Sequence, residues 1–469
     1  MSRLTLLFIA LPALLGLAIC TSFGLGVDEA HYMLYARHLD LSYFDHPPLV
    51  GWTHALFNAV LGESLFSARL PAILIGLFSN WQLFLFLRRL GFSEERSRWA
   101  TLASGLCFQF FVLFVFLLPD TLCLLLFWPL LAVTSSLVEK PTVKKWLLLG
   151  LVLGLLGLAK YTALFFLVPV AIALIKRQGL SFLRGPGFYL GVVLAGLLIL
   201  PVIIWNQEHG WISFLYQMGH VAGGGDGWQG FLKSWALQFV LYSPFLWPFA
   251  FVGLWHLWRR SSVHAEFALW TALTFGLFFL WSSWREVVLP HWPALFYLLT
   301  ISVGLAKTLE TRARAWALTM IALTGVFVLL LVVTLVSGVA YRIPGALREV
   351  AGWDEAMHLA GEKLTGPKDR IAVLNWTYAS RALYYGPEVE KRVVVLDDRF
   401  DQFDVWNPES IEGLDLWILQ FSYDEKDLTG IVKCQSLSEK ERSPVMIRGF
   451  EMFQVILQKC VTASKPSGS

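Results

Sequence analysis

Residues 315–340 read AWALTMIALTGVFVLLLVVTLVSGVA, a run of 26 residues that contains no Asp, Glu, Lys or Arg. A transmembrane helix needs about 20 consecutive apolar residues to cross the roughly 30 Å hydrocarbon core of a bilayer. This run is long enough to do so. It therefore predicts a membrane-spanning helix, and the rest of the chain decides whether that helix is a single anchor or one of many.

The overall composition favours a protein built from many such helices. Only 15% of the 469 residues are charged and 56% are hydrophobic, against about 25% and about 45–50% in ordinary soluble proteins. These values exclude a soluble globular enzyme. They also exclude a disordered chain, because disorder requires low hydrophobicity and high net charge. The 37 basic and 34 acidic residues nearly balance, so net charge argues neither for nor against nucleic acid.

The hydropathy pattern predicts a polytopic α-helical membrane protein with about 11 transmembrane helices. The fifth and sixth predicted spans are short and meet at Lys160, so their boundary is the least defined. The predicted spans are residues 4–24, 68–89, 99–118, 121–138, 145–160, 161–176, 187–205, 235–258, 266–284, 288–308 and 315–340.

The distribution of charge predicts the orientation, because short cytoplasmic loops are enriched in Lys and Arg. With the N-terminus in the cytoplasm, 16 of the 21 basic residues before residue 341 fall on the inner side. Nine of the 14 acidic residues in the same region fall in outer loops or at the outer ends of spans. Ionisable groups at membrane depth are costly and usually mark function. We therefore expect a functional site that opens to the extracytoplasmic side.

The chain divides by composition into two predicted domains. Residues 1–340 form the membrane module, whose first outer loop, about 25–67, is predicted to contain amphipathic helices. Residues 341–469 hold 20 of the 34 acidic residues and are predicted to form a small extracytoplasmic α/β domain. Its role stays open between contact with an acceptor and stiffening of the membrane module. The predicted strands are 370–374, 392–396 and 415–420, with helices at 353–364 and 378–385 and a late strand pair or extended segment at 446–457.

Two further features of the outer segments carry weaker predictions. Cys434 and Cys460 are the only cysteines of the tail. On an oxidising side of the membrane they could form a disulfide, and the sequence leaves this open. The run Gly-Gly-Gly-Asp-Gly at 223–227 could cradle a phosphate only at the start of a helix that follows a strand. No strand precedes it, so a gate or lid is favoured.

Carboxylates and cations together are predicted to line an outward-facing cavity. Such a mixture suits the transfer of a group from a phosphate-bearing lipid. A carboxylate can take the proton from an attacking hydroxyl or amine, and Lys or Arg can neutralise the departing phosphate. The residues concerned are Asp28, Glu29, His46, Arg69, Asp120, Lys160, Glu208, Arg285, Glu286 and His291.

Several short motifs resemble those of a known enzyme family. In order along the chain they are VDEAHY (27–32), YFDHPPL (43–49), LPDT (118–121), GLAKYT (157–162), WNQ (205–207) and LPHWPA (289–294). Together they resemble the polyprenyl-phosphate-sugar-dependent glycosyltransferases with the GT-C fold. Within that group, the bacterial branch of protein O-mannosyltransferase-like and lipid A aminoarabinose transferase-like enzymes is the most similar. The resemblance covers roughly residues 1–310.

The resemblance implies an inverting glycosyltransferase of the inner (plasma) membrane. Asp28 would be the general base, with Glu29 beside it in the catalytic pair. The donor would be a polyprenyl-phosphate sugar and the acceptor a glycolipid, glycan or protein, with no nucleic acid, no cofactor and no metal required. The positions that would contact the donor phosphate are Lys160, Arg69, Arg285 and His291. The positions that would contact the acceptor or line the cavity are His46, Asp45, Asp120, Tyr161 and Glu208.

Alternatives remain open at the level of sequence. Asp28 and Asp120 could each be a helix N-cap, Lys160 could extend to the membrane interface, and His291 could form a hydrogen bond at a helix start. As a whole, the chain could instead be a membrane transporter or a flippase of polyprenyl-linked lipids.

Overall fold

The computed structural model describes residues 1–222, 227–343, 345–397, 399–406, 411–428, 431–432 and 434–462. The chain folds into two compact units. The first consists of residues 1–20, 40–62 and 66–332, and the second of residues 21–39, 63–65 and 333–469. The second unit thus combines the C-terminal region with a segment of the first predicted outer loop.

The first unit is helical. Short 3₁₀ helices at Tyr161–Phe166 and Ser181–Arg184 interrupt its α-helices. The α-helices are α1 (Arg3–Ile19), α3 (Leu49–Leu61), α4 (Leu65–Arg89), α5 (Glu94–Leu106), α6 (Phe108–Leu113), α7 (Pro119–Glu139), α8 (Val143–Ala159), α9 (Leu167–Gln178), α10 (Pro186–Glu208), α11 (Ile212–Ala222), α12 (Gly227–Leu241), α13 (Trp247–Trp258), α14 (Val263–Ser282), α15 (Ala294–Thr308) and α16 (Arg314–Val336). Helix α2 (Val27–Arg37) belongs to the second unit.

Among the described residues, six helical segments are long and apolar enough to cross a membrane, and shorter apolar helices accompany them. Several predicted spans are divided. The predicted span 235–258 is split into α12 and α13, because Ser243 has a left-handed φ of 66° and Pro244 cannot donate a backbone hydrogen bond. The six segments are 65–89, 119–139, 161–178, 186–208, 263–282 and 314–336.

Glycines allow two pairs of helices in the first unit to approach closely. A Cβ atom on Gly150 of α8 would overlap the backbone of Gly191 on α10. A Cβ atom on Gly253 of α13 would overlap the carbonyl of Thr300 on α15, and one on Gly304 would overlap the carbonyl of Phe249. Small residues that let backbones meet are typical of helix packing in membranes, where apolar side chains gain little from leaving lipid.

The second unit contains a mixed β-sheet, which confirms the predicted α/β character of the tail. The strands are β1 (Asp369–Val373), β2 (Val393–Val395), β3 (Asp415–Phe421), β4 (Cys434–Leu437), β5 (Glu441–Ile447) and β6 (Phe450–Thr462), and the helices are α17 (Trp353–Gly361), α18 (Trp376–Tyr385) and α19 (Gln402–Trp406). The strand order is β2-β1-β3-β6-β4, with β5 also paired to β6. Strand β1 is parallel to β2 and β3, whereas β6 is antiparallel to β3, β4 and β5.

Helix α2 belongs to the second unit because its apolar face is buried there. Leu34 is fully buried in the same cluster as Trp353, Ala379 and Phe421. The Arg37 guanidinium donates to the carbonyls of Leu383 and Tyr384 at the end of α18, which lack partners within the helix. The segment that carries the first-loop motif is therefore fixed to α18.

A disulfide joins the two cysteines of the tail. Cys434 on β4 and Cys460 on β6 are bonded, and Cys460 is fully buried. The sequence alone leaves this pairing open, and the structure shows it. The bond therefore links the edge strand β4 covalently to its neighbour β6.

Candidate functional site

A buried ion pair lies at the centre of the candidate site in the first unit. Lys160 Nζ donates to both carboxylate oxygens of Asp120, each at 2.7 Å, and each residue is only 7% exposed. The N-cap of α7 is Leu118, and the side chain of Thr121 accepts from the Leu118 backbone N–H. Asp120 is therefore not the N-cap that the sequence allowed, and Lys160 does not extend to solvent.

Local backbone structure brings Lys160 to this position. The residue is the C-cap of α8, with an extended conformation that ends the helix. Its carbonyl then accepts from Ala163 N–H in the following 3₁₀ helix. Asp120 lies in the first turn of α7, where the helix dipole favours a negative charge.

The loop before α15 adds an imidazole and an indole to the pair. His291 Nε2 lies 3.9 Å from an Asp120 carboxylate oxygen. The Lys160 ammonium lies 5.9 Å from the ring centroid of Trp292, within the range of a cation–π interaction. The structure thus brings together three residues that the sequence predicted for the site, Asp120, Lys160 and His291.

An elongated apolar cavity of about 640 Å³ extends from this cluster. Its walls come from α8, α9 and α10, and it reaches from Trp146 to Lys160 and Tyr161. These positions span fourteen residues of chain, which corresponds to roughly 20 Å along a helix. Leu164 and Val192 line the cavity and are themselves 66% and 54% exposed. The cavity therefore has an apolar body, an open side and one cationic end.

A buried polar cluster lies beside Lys160. The Tyr161 hydroxyl has the side chains of Ser42, Asn206 and Ser213 around it. The Tyr161 hydroxyl, Ser42 Oγ and Asn206 Oδ1 are all buried, so the polar groups of this cluster face one another and not solvent. Of this cluster the sequence predicted only Tyr161 as a site residue. The WNQ motif pointed to Asn206, but nothing local marked either serine.

The turn that contains the predicted Asp45 and His46 is held against α11. Ser213 Oγ donates to the Tyr43 carbonyl at 3.0 Å, and Gln217 Nε2 donates to the Asp45 carbonyl at 2.9 Å. The Asp45 carboxylate lies 4.0 Å from His46 Nε2, and both side chains are about one-fifth exposed. These two side chains could therefore contact an incoming ligand.

Three other predicted residues have different surroundings. Arg69 is fully buried and donates to the carbonyl of Cys20 at the end of α1. Arg285 is exposed, with its guanidinium 5.6 Å from the ring centroid of Trp281. Glu208 is the last residue of α10 and is exposed. The predicted gate at 223–227 includes Asp226, and residues 223–226 lie outside the described residues.

The two predicted catalytic carboxylates lie in the first turn of α2, in the second unit. Gly26, rather than Asp28, is the N-cap of this helix. The Glu29 carboxylate accepts from the Gly26 backbone N–H at 3.1 Å, and Glu29 is 2% exposed. Glu29 thus accepts from a backbone N–H at the helix start that has no partner within the helix. Asp28 lies in the same turn and is more exposed than Glu29.

No group of three or more His, Cys, Asp or Glu side chains arranged to hold a metal ion occurs among the residues described above. His46 and Asp45, which are adjacent in sequence, therefore lack a third such ligand in the described structure.

Comparison with solved structures identifies the architecture. The crystal structure of ArnT from Cupriavidus metallidurans bound to undecaprenyl phosphate matches 98% of this chain and 99% of its own, with a TM-score of 0.62 and 16% sequence identity. The apo form matches 96% of this chain and 97% of its own, with a TM-score of 0.63 and the same identity. The chain has the GT-C glycosyltransferase fold. The predicted fold class, a polytopic GT-C membrane protein with a small C-terminal α/β domain, is confirmed.

Sequence comparisons agree with the GT-C assignment. The model of the dolichyl-phosphate-mannose-protein mannosyltransferase family matches residues 45–205, which include Asp120 and Lys160. A lipid A galacturonosyltransferase, RgtD from Rhizobium johnstonii, is 26% identical over 255 residues, or 53% of each chain. The chain therefore aligns with about half the length of this curated relative. The resemblance to GT-C glycosyltransferases inferred from the motifs is confirmed.

Proposed function

We propose that this GT-C protein is an inverting glycosyltransferase of the inner membrane. It moves a sugar from a polyprenyl-phosphate donor to an acceptor of the cell envelope, at the outer face of the membrane. The observation that carries the proposal is the apolar cavity along α8 that ends at Lys160. A long apolar chain with an anionic head matches a cavity with an apolar body and one cationic end.

The donor lipid enters this cavity from the side. Leu164 and Val192 line the cavity and are exposed on the surface of the helices. In a membrane protein this surface contacts lipid. Burying apolar surface of the isoprenoid contributes about 25 cal/mol per Å². Each isoprene unit in the cavity therefore adds to affinity, while the phosphate remains at the charged end.

The phosphate is held by the ammonium of Lys160. An ammonium has three N–H donors, and two of them are directed at Asp120. The third is available to a phosphate oxygen, and Asp120 positions the ammonium for it. His291 Nε2 lies 3.9 Å from the same carboxylate. Arg69 and Arg285 are proposed as further contacts of the donor phosphate. The Lys160 ammonium stabilises the phosphate as it leaves with the bonding electron pair.

Asp28 is the general base. An acceptor hydroxyl attacks the anomeric carbon of the donor sugar from the face opposite the phosphate. The bond from the anomeric carbon to the phosphate oxygen breaks, and Asp28 takes the hydroxyl proton. The products are the glycosylated acceptor with inverted configuration and the free polyprenyl phosphate. Glu29 fixes the helix turn on which Asp28 lies, through its bond to Gly26.

The acceptor approaches from the aqueous side, where Asp45, His46, Asp120, Tyr161 and Glu208 are the candidate contacts. RgtD is named for transfer to lipid A, which favours lipid A or lipopolysaccharide over another glycan or a protein.

The test compares Asp28→Asn with Asp354→Asn in cells that lack the native gene product. Asp354 is a matched control because it lies in the first turn of another helix of the second unit, α17. Mass spectrometry of envelope glycolipids should show that the product disappears with Asp28→Asn and persists with Asp354→Asn. A full product level from a folded Asp28→Asn protein would refute the assignment of the base. A donor lipid that moves between leaflets with no sugar transfer would instead indicate a flippase.

A further inference from the structure

The second unit contains a large cavity that the proposed reaction does not use. Its volume is about 1030 Å³, and it is bounded by the end of α2, the segment before β2, β2 itself and α19. This volume is at the upper end of the range for ligand pockets, about 300–1,000 Å³. Its wall combines apolar residues of β2 with aromatic and charged side chains.

Aromatic side chains form one wall of the cavity. The Trp406 ring lies 4.8 Å from His38 and 5.6 Å from Phe403, measured between ring centroids. Tyr35 of α2 contacts the Trp406 ring edge at 5.9 Å. These contacts hold the indole in one orientation. Phe400 lines the same cavity and is 53% exposed, so its ring forms part of the rim.

The charged side chains at the rim differ in their hydrogen bonds and exposure. The Arg392 guanidinium donates to the carbonyls of Leu364, Gly366 and Asp369, so its role is structural. Lys391 is exposed and forms no ion pair within the described part of the chain. A lysine ammonium in this position fits a phosphate or carboxylate group. Glu388 and Asp404 add acceptors for hydroxyl groups.

Helix α2 connects this cavity to the proposed base. Asp28 is in the first turn of α2, and His38, its C-cap, lines the cavity. Ten residues of helix separate them, or about 15 Å. The helix is fixed to α18, because His31 bonds to Ser380 at 3.1 Å and Arg37 donates to the carbonyls of Leu383 and Tyr384. A ligand in the cavity is thus held at a fixed distance from Asp28.

We propose that this cavity binds the saccharide part of the acceptor, an oligosaccharide that carries an anionic group. Aromatic rings pack against the apolar faces of sugar rings, and Lys391 binds the anionic group. A fatty acyl chain would leave the charged rim without partners, so a lipid tail fits the cavity less well. The inference rests on the proposed function, since it assigns the cavity to the acceptor of that reaction.

The experiment measures binding to the full-length protein in lipid nanodiscs by isothermal titration calorimetry. The probes are an acyl-free glucosamine disaccharide bisphosphate and the same disaccharide without phosphates. Phe400→Ala should weaken both probes by about tenfold, and Lys391→Ala should weaken only the bisphosphate. Lys368→Ala, which removes another exposed lysine of the same unit, should change neither. All three substituted side chains are exposed, so the fold should persist in each variant.

Absence of binding to the wild-type protein at millimolar probe, or equal binding by all variants, would overturn the inference. Asp28→Asn should bind the bisphosphate as the wild type does while losing sugar transfer. Sugar transfer by a wild-type protein that does not bind the probe would refute the acceptor site and leave the proposed function standing. Probe binding by a wild-type protein that transfers no sugar would refute the proposed function and leave the binding site standing.

Discussion

Removing either charge of the buried Lys160–Asp120 pair should test its contribution to stability and its role in the reaction. The ammonium lies 2.7 Å from both carboxylate oxygens, and each residue is 7% exposed. Removing one partner of a buried pair leaves an uncompensated charge and costs about 3–5 kcal/mol. We expect Lys160→Met and Asp120→Leu each to lower the free energy of unfolding by this amount.

The double variant should recover most of this loss. Replacing a buried ion pair by apolar side chains of similar volume is often neutral or stabilising. We therefore expect Lys160→Met/Asp120→Leu to unfold within about 1 kcal/mol of the wild type, which corresponds to a coupling of at least about 5 kcal/mol between the two sites. The assay is SDS-induced unfolding in mixed micelles. Sugar transfer should nevertheless stay abolished in the double variant, because no ammonium remains to hold the donor phosphate.

The matched control is the pair Lys307 and Glu310, which has a similar distance of 2.8 Å but partly exposed side chains. Its single variants should cost less than about 1 kcal/mol, because exposed ion pairs contribute little. A Lys160/Asp120 double variant as unstable as the sum of its single variants would refute the coupling. Retained sugar transfer in that variant would refute the role of Lys160 at the phosphate.

Three further predictions concern stability. Gly253→Ala should lower the free energy of unfolding by about 1–3 kcal/mol, since the new Cβ meets backbone atoms of α15; SDS-induced unfolding measures it. Replacing Cys434 and Cys460 by serine should cost about 2–4 kcal/mol through the lost cross-link, measured by thermal unfolding with and without reductant. Burial raises the pKa of Asp401 from 3.8 to about 6, so its contribution should make the protein less stable as pH rises through this interval; Asp401→Asn should remove that dependence from a pH series of melting temperatures.

Each of these predictions has its control or its contrary outcome. Gly196→Ala introduces the same methyl group where nothing lies within 4 Å, so equal losses at both glycines would contradict the packing argument. Equal melting temperatures of the wild-type protein with and without reductant would show that the disulfide does not stabilise the fold. The sign for Asp401 follows because the folded state binds the proton more tightly than the unfolded chain. If the melting temperature of Asp401→Asn depends on pH as that of the wild type does, neighbouring groups cause the effect. Among these neighbours, Asp397 and Asp404 raise the pKa of Asp401 and His31 lowers it.

Properties that depend on composition and local pattern could be predicted from the sequence. The uncharged run at 315–340 predicts a membrane helix, and α16 (Arg314–Val336) lies there. The predicted strand 415–420 corresponds to β3 at Asp415–Phe421. Strands and spans are recognisable because burial repeats at fixed intervals along the chain. The order of the motifs along the chain likewise predicts the GT-C fold, and the match to solved structures confirms it.

Side-chain partners were decided only by the tertiary structure. Asp120 and Lys160 are 40 residues apart, and nothing local distinguishes their pairing from a helix cap or an exposed lysine; the packing of α7 on α8 brings them together. The same holds for Glu29, whose carboxylate is bonded to its own helix start, and for α2, which is part of the second unit. A long-range ion pair or hydrogen bond depends on where two elements meet in space, and a periodic pattern in one element carries no information about the other.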